Sequence, residues 1–282
     1  MHKFHVLPDP MLRPFIDRLW GWESGPGEEI ALPTLLPGTG AELYFHYRQP
    51  FRHLTTEGMQ LACAPAHLLC LRSLPVALCA SGDVGFIAVR FRAGMLHRFT
   101  DIPAGELIDR QHAVDELWGG AGKAVMQGIA ECATQSARLR LIQDFLAKCL
   151  RAKATDTLAE HAVSLLYRES ASISIGQLAA RLKIGTRQME RRVRALTGQS
   201  PAELRRLGRL QKSVRALLLA PEAALLDVAL ANGYYDQSHF SRDCRELAHD
   251  SPGRLLQVAR AKTHFYNTPH GAFGKMTTPV SI

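Results

Sequence analysis

Three arginines, Arg187, Arg191 and Arg194, recur at i, i+4, i+7 spacing, which sets their guanidinium groups on one face of a helix. Met189, Val193 and Leu196 repeat the same spacing and form an opposite, apolar face. An exposed helix of this kind fits the DNA major groove. Arginine there donates two bonds to guanine, and the remaining charges meet phosphate. A solvated basic face would look the same over one short run. The rest of the chain decides between them.

The element before this helix opens at Ser174, where Ser174-x-x-Gln177 is a capping box, and runs to about Leu182. Lys183-Ile184-Gly185 is a tight turn, with Gly185 placed to cap the next helix, Thr186 to about Leu196. Helix, tight turn, helix is a DNA-reading arrangement. It also recurs. Shifting the chain by 51 residues aligns Ala180 with Ala231, Arg191 with Arg242, Arg194 with Arg245 and Leu196 with Leu247. Ser200-Pro201 falls on Ser251-Pro252, and Leu204 on Leu255. In the second copy Leu226 to Ala231 is the first helix and Asn232-Gly233 ends it. Asp236 then caps a helix from Gln237 to Leu247. Phe240, Cys244 and Leu247 face inward there, and Gln237, Ser238, Ser241, Arg242 and Arg245 remain outward. Between the copies, Ser200-Pro201-Ala202-Glu203 caps a helix that runs to about Leu219 and stops before Pro221. It spans roughly 28 Å against ~34 Å for one turn of B-DNA, so it can hold two recognition helices in successive groove segments. Arg205, Arg206, Arg209 and Lys212 lie along it as phosphate-contact candidates.

Charge follows the same division. The chain has 282 residues and a net charge of +8, but residues 1–150 carry 14 basic and 15 acidic residues. Residues 151–282 carry 20 and 11, and Arg181 to Arg215 alone holds 11 basic against 2 acidic. The excess marks a polyanionic partner for the second half. No secretory signal follows Met1, and the most apolar stretch, Leu61 to Ala80, is broken by Pro65, His67, Arg72 and Pro75. The expected location is the cytoplasm, with the six cysteines as free thiols.

These motifs resemble the AraC/XylS family of transcription regulators. The resemblance covers Asp156 to Leu256. Its most specific part is Asp227-Val228-Ala229-Leu230-Ala231-Asn232-Gly233-Tyr234, followed by Asp236-Gln237-Ser238-His239-Phe240-Ser241-Arg242 and Ser251-Pro252. Leu178-Ala179 and Arg187 to Arg192 carry it in the first copy. Gly185, Val193, Cys244 and Ala248-His249 depart from the family pattern, which implies looser packing in the second copy. The resemblance implies DNA contacts at Thr186, Arg187, Glu190 and Arg191, then at Gln237, Ser238, Ser241 and Arg242. The exposed-face reading adds Arg194 and Arg245. Glu190 is suited either to accept from cytosine or to pair with Arg194.

The first half reads as strands followed by helices. Glu42 to Arg48 and Val84 to Phe91 are strand candidates among frequent Pro and Gly turns, in the manner of a small barrel or sandwich. Residues 123–153 fit two amphipathic helices broken near Ala133–Ser136. Leu32 to Leu43, Phe91-Arg92-Ala93-Gly94 and Leu117-Trp118-Gly119 resemble sensor domains of such regulators, which implies a cupin-like β-barrel with following helices. The expected fold is therefore α+β: this barrel, then an all-α tandem helix-turn-helix domain. Expected boundaries are 1–155 for a sensor or dimerisation domain, with Ala152–Asp156 as linker. The DNA-binding domain takes 156–260, and 261–282 is a flexible tail.

Catalytic chemistry has little to stand on. His46, His53, His67, His97 and His112 are scattered, and neither a Gly-x-Ser-x-Gly elbow nor a phosphate loop is present. No metal, no cofactor and no enzyme activity is expected. Tyr44, His46, Arg90 and Arg92 alternate on strand candidates and are the effector-binding residues of a barrel pocket, where two arginines suit an anion. Cys63, Cys70 and Cys79 offer a redox switch as an alternative, against the plainer reading of small buried hydrophobes. The expected function is a sequence-specific transcription regulator, more an activator than a repressor, with a small-molecule sensor. Its partners are promoter DNA, RNA polymerase, an effector and a second copy of the chain. An effectorless module whose first half dimerises or contacts a partner, and an enzyme with a DNA-binding appendage, are the other classes.

Overall fold

The computed structural model describes residues 2–54, 58–70, 72–151, 156–220 and 222–261. Most of the expected 152–156 linker and the expected tail lie outside these.

The described residues up to 113 hold ten strands, the last of them after a short helix: β1 (His2–Val6), β2 (Ile16–Glu23), β3 (Thr34–Leu35), β4 (Glu42–His46), β5 (Arg52–Leu54), β6 (Gln60–Ala62), β7 (Ala66–Leu69), β8 (Val76–Cys79), β9 (Gly85–Phe91) and β10 (Gln111–Ala113). They form a six-stranded sheet of order β1-β2-β9-β4-β7-β10 and a four-stranded sheet of order β3-β8-β5-β6, antiparallel throughout. The two strands expected from sequence are the central pair, with Tyr44 opposite Ala88 and Glu42 opposite Arg90. Central strands are buried on both faces, which is why their composition shows so plainly.

Alternation along these strands separates two cores. Trp20, Trp22, Tyr44, Phe86 and Ala88 face the small sheet and pack with Phe51, Leu78 and Cys63. Leu19, Leu43, Phe45, Ile87 and Val89 face the other way, onto helices. Gly21 is required where β2 crosses β9, because a Cβ there would stand 2.1 Å from the Phe86 carbonyl oxygen.

The helices begin with α1 (Ala104–Leu107), α2 (Val114–Glu131) and α3 (Gln135–Cys149). The expected break between two amphipathic helices falls at Cys132–Thr134, and the Thr134 hydroxyl caps α3. Val125, Ile129, Ile142, Phe145 and Leu146 cover the sheet. Seven helices follow: α4 (Thr157–Arg168), α5 (Ile175–Arg181), α6 (Thr186–Thr197), α7 (Pro201–Leu219), α8 (Leu225–Ala231), α9 (Gln237–Ala248) and α10 (Pro252–Ala261). The fold is mixed α+β, with antiparallel sheets first and a helical region after. No described helix is long and apolar enough to cross a membrane.

The sheet-facing core does not stop at α3. It runs on through Ala162, Val163, Leu165 and Leu166 of α4, Leu178 and Ala179 of α5, Met189 and Val193 of α6, and Leu204 of α7. Leu210, Val214 and Leu217 of α7 belong instead to a separate small core with Val228, Ala229, Tyr234, Phe240 and Cys244.

Candidate nucleic-acid interface

In the first motif the Ser174 hydroxyl accepts the Gln177 amide at 3.2 Å, while the Gln177 side chain accepts the Ser174 amide at 2.9 Å. The turn needs a left-handed residue and places Lys183 there, at φ +54°. The Ile184 amide closes it on the Ala179 carbonyl at 3.1 Å. Gly185 is the N-cap of α6 but has no side chain to accept an amide, and no acidic residue stands in the first turn. The leading amides of α6 are therefore uncapped, and the helix dipole leaves that end positive. Met189, Val193 and Thr197 are buried, and Thr186, Arg187, Glu190, Arg191 and Arg194 are exposed. Arg192 is turned away and binds the Asp156 carboxylate through both oxygens at 2.8 and 2.9 Å. Glu190 and Arg194 lie 3.6 Å apart as an i, i+4 pair on the surface.

In the second motif Gly233 takes the left-handed position at φ +78°. A Cβ there would also stand 2.2 Å from the Ala171 carbonyl oxygen, so two constraints require glycine. Asp236 caps α9 by accepting the His239 amide at 2.7 Å. Phe240 and Cys244 are buried, and burial pushes the Cys244 thiol up to about 12. Gln237, Ser238, Arg242 and Arg245 are exposed and Ser241 is half-buried. The ten candidate contacts therefore occupy the exposed sides of α6 and α9, with Ser241 the most recessed.

The repeat has a finer register than a uniform shift. The cap at Gly185 and the core residues Met189 and Val193 map to Asp236, Phe240 and Cys244 at 51 residues. The preceding helix and turn map at 50: buried Leu178-Ala179 onto buried Val228-Ala229, and left-handed Lys183 onto left-handed Gly233. The Ile184 bond to Ala179 likewise matches that of Tyr234 to Ala229. The identity of Ala180 with Ala231 is thus not a structural equivalence. One extra residue, Tyr235, sits in the second turn.

The basic residues of α7 correct the sequence expectation. Arg205 donates to the Ser170 carbonyl at 3.1 Å, and Arg206 to Asp243 at 2.8 Å and to Glu246. Arg209 donates to the Gly233 carbonyl at 3.1 Å and lies over the Tyr234 ring, and Lys212 donates to the Arg168 carbonyl at 2.6 Å. These heads tie α7 to its neighbours and are not offered to phosphate. Sequence reasoning missed Asp243, a buried carboxylate on α9 that meets Arg206 and Arg209. Its signal was an acidic residue between the core positions Phe240 and Cys244.

Loops of the strand-rich half hold the helices on either side of the first motif at two points. Glu160 of α4 is buried and accepts Arg98 at 2.7 and 3.0 Å and His97 at 2.9 Å. Gln211 of α7 is also buried and accepts the Thr39 hydroxyl at 3.3 Å. Gly38 lies so close that a Cβ would stand 2.2 Å from Gln211 Nε2. A cleft of about 270 Å³ opens beside α6, lined by His97, Arg98, Asp101, Arg151, Asp156 and Leu196 among others.

Of the four effector candidates Tyr44 and Arg90 meet on Glu42 and Tyr44 stacks with His46, while Arg92 stands apart. Tyr44 and His46 are buried in the inter-sheet aromatic cluster, stacked with His67 at ring-centroid distances of 5.3 and 5.4 Å. Burial, then the neighbouring imidazole of His67, holds His46 well below the ordinary histidine range, and burial brings His67 down to about 4. Arg90 binds Glu42 at 2.9 Å, and Arg92 lies half-exposed outside, 3.8 Å from Asp17. Burial works against the Glu42 charge, but Arg90, Arg72 and Arg18 outweigh it and keep the carboxyl below its usual range. The three switch candidates are free thiols. Cys63 and Cys70 lie in different cores, Cys79 is half-buried, and burial pushes the Cys63 thiol up to about 11. Among the described residues no group of three His, Cys, Asp or Glu is placed to hold a metal ion.

Residues 178–257 match a family model described as a helix-turn-helix domain, and residues 4–113 match a domain of unknown function, DUF6597. No curated protein matches the chain. Among solved structures, ToxT from Vibrio cholerae is similar at 10% identity and a TM-score of 0.49, covering 84% of this chain and 98% of that one. The C-terminal domain of AraT, a response regulator from Geobacillus stearothermophilus, is 21% identical over 42% of this chain and 96% of that one, with a TM-score of 0.35. The DNA-binding domain of AdpA, in complex with a target DNA, is 26% identical over 38% and 96%, with a TM-score of 0.34. Two helix-turn-helix motifs on a common strut define a DNA-binding protein. More narrowly, residues 178–257 form a helix-turn-helix domain, and a distinct domain matched over residues 4–113 precedes it.

Proposed function

We propose that the chain is a one-component regulator that reads promoter DNA through α6 and α9. Residues 1–155 serve as sensor or dimerisation unit and residues 156–260 as the DNA-binding unit. The observation that carries this reading is the pair of exposed polar faces, Thr186, Arg187, Glu190, Arg191 and Arg194 on one recognition helix and Gln237, Ser238, Ser241, Arg242 and Arg245 on the other. The uncapped start of α6 adds donors for phosphate. Arg194 is shared with Glu190, so Arg187 and Arg191 are the stronger base-reading candidates.

Regulation has a physical route. The Tyr44 hydroxyl donates to Glu42 at 3.1 Å, Glu42 pairs with Arg72, and Arg72 donates to the Leu36 carbonyl. The loop that follows Leu36 rests on Gln211 of α7. A small molecule that moved Tyr44 would thus act on the helix joining the two motifs. In this reading the bound protein activates transcription through contact with RNA polymerase. A second reading, a module without an effector, is supported by the aromatic side chains packed between the sheets.

The test is selection of genomic fragments by the purified chain across a salt series, beside an Arg187→Ala/Arg242→Ala variant. A shared motif with half-sites about one turn apart, lost in the variant, is expected. Motif-free binding that fades steeply with salt and is equal in both proteins would reduce the basic half to phosphate attraction.

A further inference from the structure

Tyr235 is the most exposed of the large apolar or aromatic residues described, at 86% against 58% for Met11. It has no hydrogen-bond or ring partner among the described residues. It is also the residue by which the second turn exceeds the first. A hydrophobic residue just before an N-cap ordinarily packs back onto the fourth helical position. Here that position is Phe240, and Tyr234 covers it instead at 5.1 Å between ring centroids. Tyr234 is buried with Arg209 over its ring, so the inserted neighbour is left pointing to solvent. It stands one residue before the cap of α9, next to exposed Gln237 and Ser238.

The two recognition helices begin differently. α6 starts on Gly185, whose Cβ position has nothing within 4 Å, so the backbone is open to a phosphate. α9 starts on Asp236, whose carboxylate occupies the His239 amide and sets a negative charge where a phosphate would approach. The second motif therefore lacks the amide anchor available to the first. A phenol beside that cap supplies a neutral donor of the right reach, and tyrosine hydroxyls are among the groups that position proteins on the DNA backbone.

We propose that Tyr235 is a DNA-positioning residue whose hydroxyl donates to a backbone phosphate flanking the groove segment read by α9. The proposal rests on the reading that α9 lies in the major groove. It assigns the second half-site a contact with no counterpart in the first.

The test uses the full chain and a duplex recovered from genomic selection, with Tyr235→Ala, Tyr235→Phe and the Arg187→Ala/Arg242→Ala variant in parallel. Tyr235→Ala and Tyr235→Phe should each weaken binding about tenfold, because both lose one hydrogen bond to a charged acceptor. The slope of log affinity against log salt should stay unchanged, since no charge is removed, whereas losing one phosphate-bound arginine lowers it by about one. Replacing phosphates one at a time by neutral methylphosphonates should find one position that weakens wild type but not Tyr235→Phe. Wild-type affinity in Tyr235→Ala, or in Tyr235→Phe alone, overturns the proposal while leaving the α6 and α9 reading in place. Unchanged binding by the double-arginine variant overturns that reading, and this proposal with it.

Discussion

The two helix-turn-helix motifs have similar backbones and unlike surroundings. The first is a continuation of the sheet domain: α4, α5 and α6 complete a core that begins at Phe4. The second stands on its own cluster of eight buried residues and meets the rest chiefly through α7, with Leu36 against that cluster and Ala171 against Gly233. The first starts its recognition helix uncapped on glycine with three exposed arginines, the second on a capping aspartate with glutamine, serine and tyrosine. A shared motif thus fixes how a helix is presented, while its setting fixes what can act on it. Changes in the sheets reach α6 through a shared core, but reach the second motif through α7 and two narrow contacts, Leu36 on its core and Ala171 on Gly233.

Core truncation should break that contrast most visibly. Phe240→Ala should cost about 3–5 kcal/mol, more than so small a core can lose, and unfold α8 to α10 while the sheets and α6 persist. Met189→Ala should cost about 2–5 kcal/mol and lower the stability of the sheets and the first motif together. Amide hydrogen exchange resolved by segment checks both. Equal loss of protection everywhere in the two variants would show one cooperative unit and erase the distinction.

Acid should sharpen it. Unfolded histidine takes up a proton near pH 6.5, but burial brings folded His67 down to about 4 and also holds His46 well below the ordinary range. Between those values protons favour the unfolded chain, so stability is complete above about 6.5 and falls as the pH drops. At pH 5 the buried His67 alone accounts for about 2 kcal/mol. No histidine is buried in the core of the second motif. Exchange at pH 7 and pH 5 should therefore show loosening of the sheets and first motif ahead of α8–α10, and His67→Phe should lessen the difference.

The smallest effect concerns the caps. Gly185→Ser places a hydroxyl in open space at the start of α6 and should add a few tenths of a kcal/mol, read as a small rise in melting temperature. It should also bring the first motif closer to the second in character, by filling an amide otherwise free for phosphate.

Much of the helical half was legible because its signals are local. Capping boxes at Ser174 and Ser200, Gly185, Gly233 and Asp236 each act within a few residues, and they fix five helices almost to the residue. The sheet half was legible only at its centre. β2 was missed because Trp-Gly-Trp among charged residues shows no clean alternation, and β3, β5 and β6 have two or three residues each. The candidate DNA contacts followed from helix periodicity. The roles of Glu160, Gln211 and the α7 arginines did not, since what makes them buried or engaged lies tens of residues away.

The core shared by the sheets and the first motif also sets an order of events during synthesis. Strands and α3 leave the ribosome first, yet the surface they present to α4 and α6 stays wet until the chain has been made past Leu204. At about 5–20 residues per second that interval lasts roughly 3–10 s. A nascent chain in that window exposes the apolar seam that later seats the recognition unit. A messenger that ended near residue 155 would release that seam permanently, so a separately produced N-terminal domain would emerge as a sticky fragment.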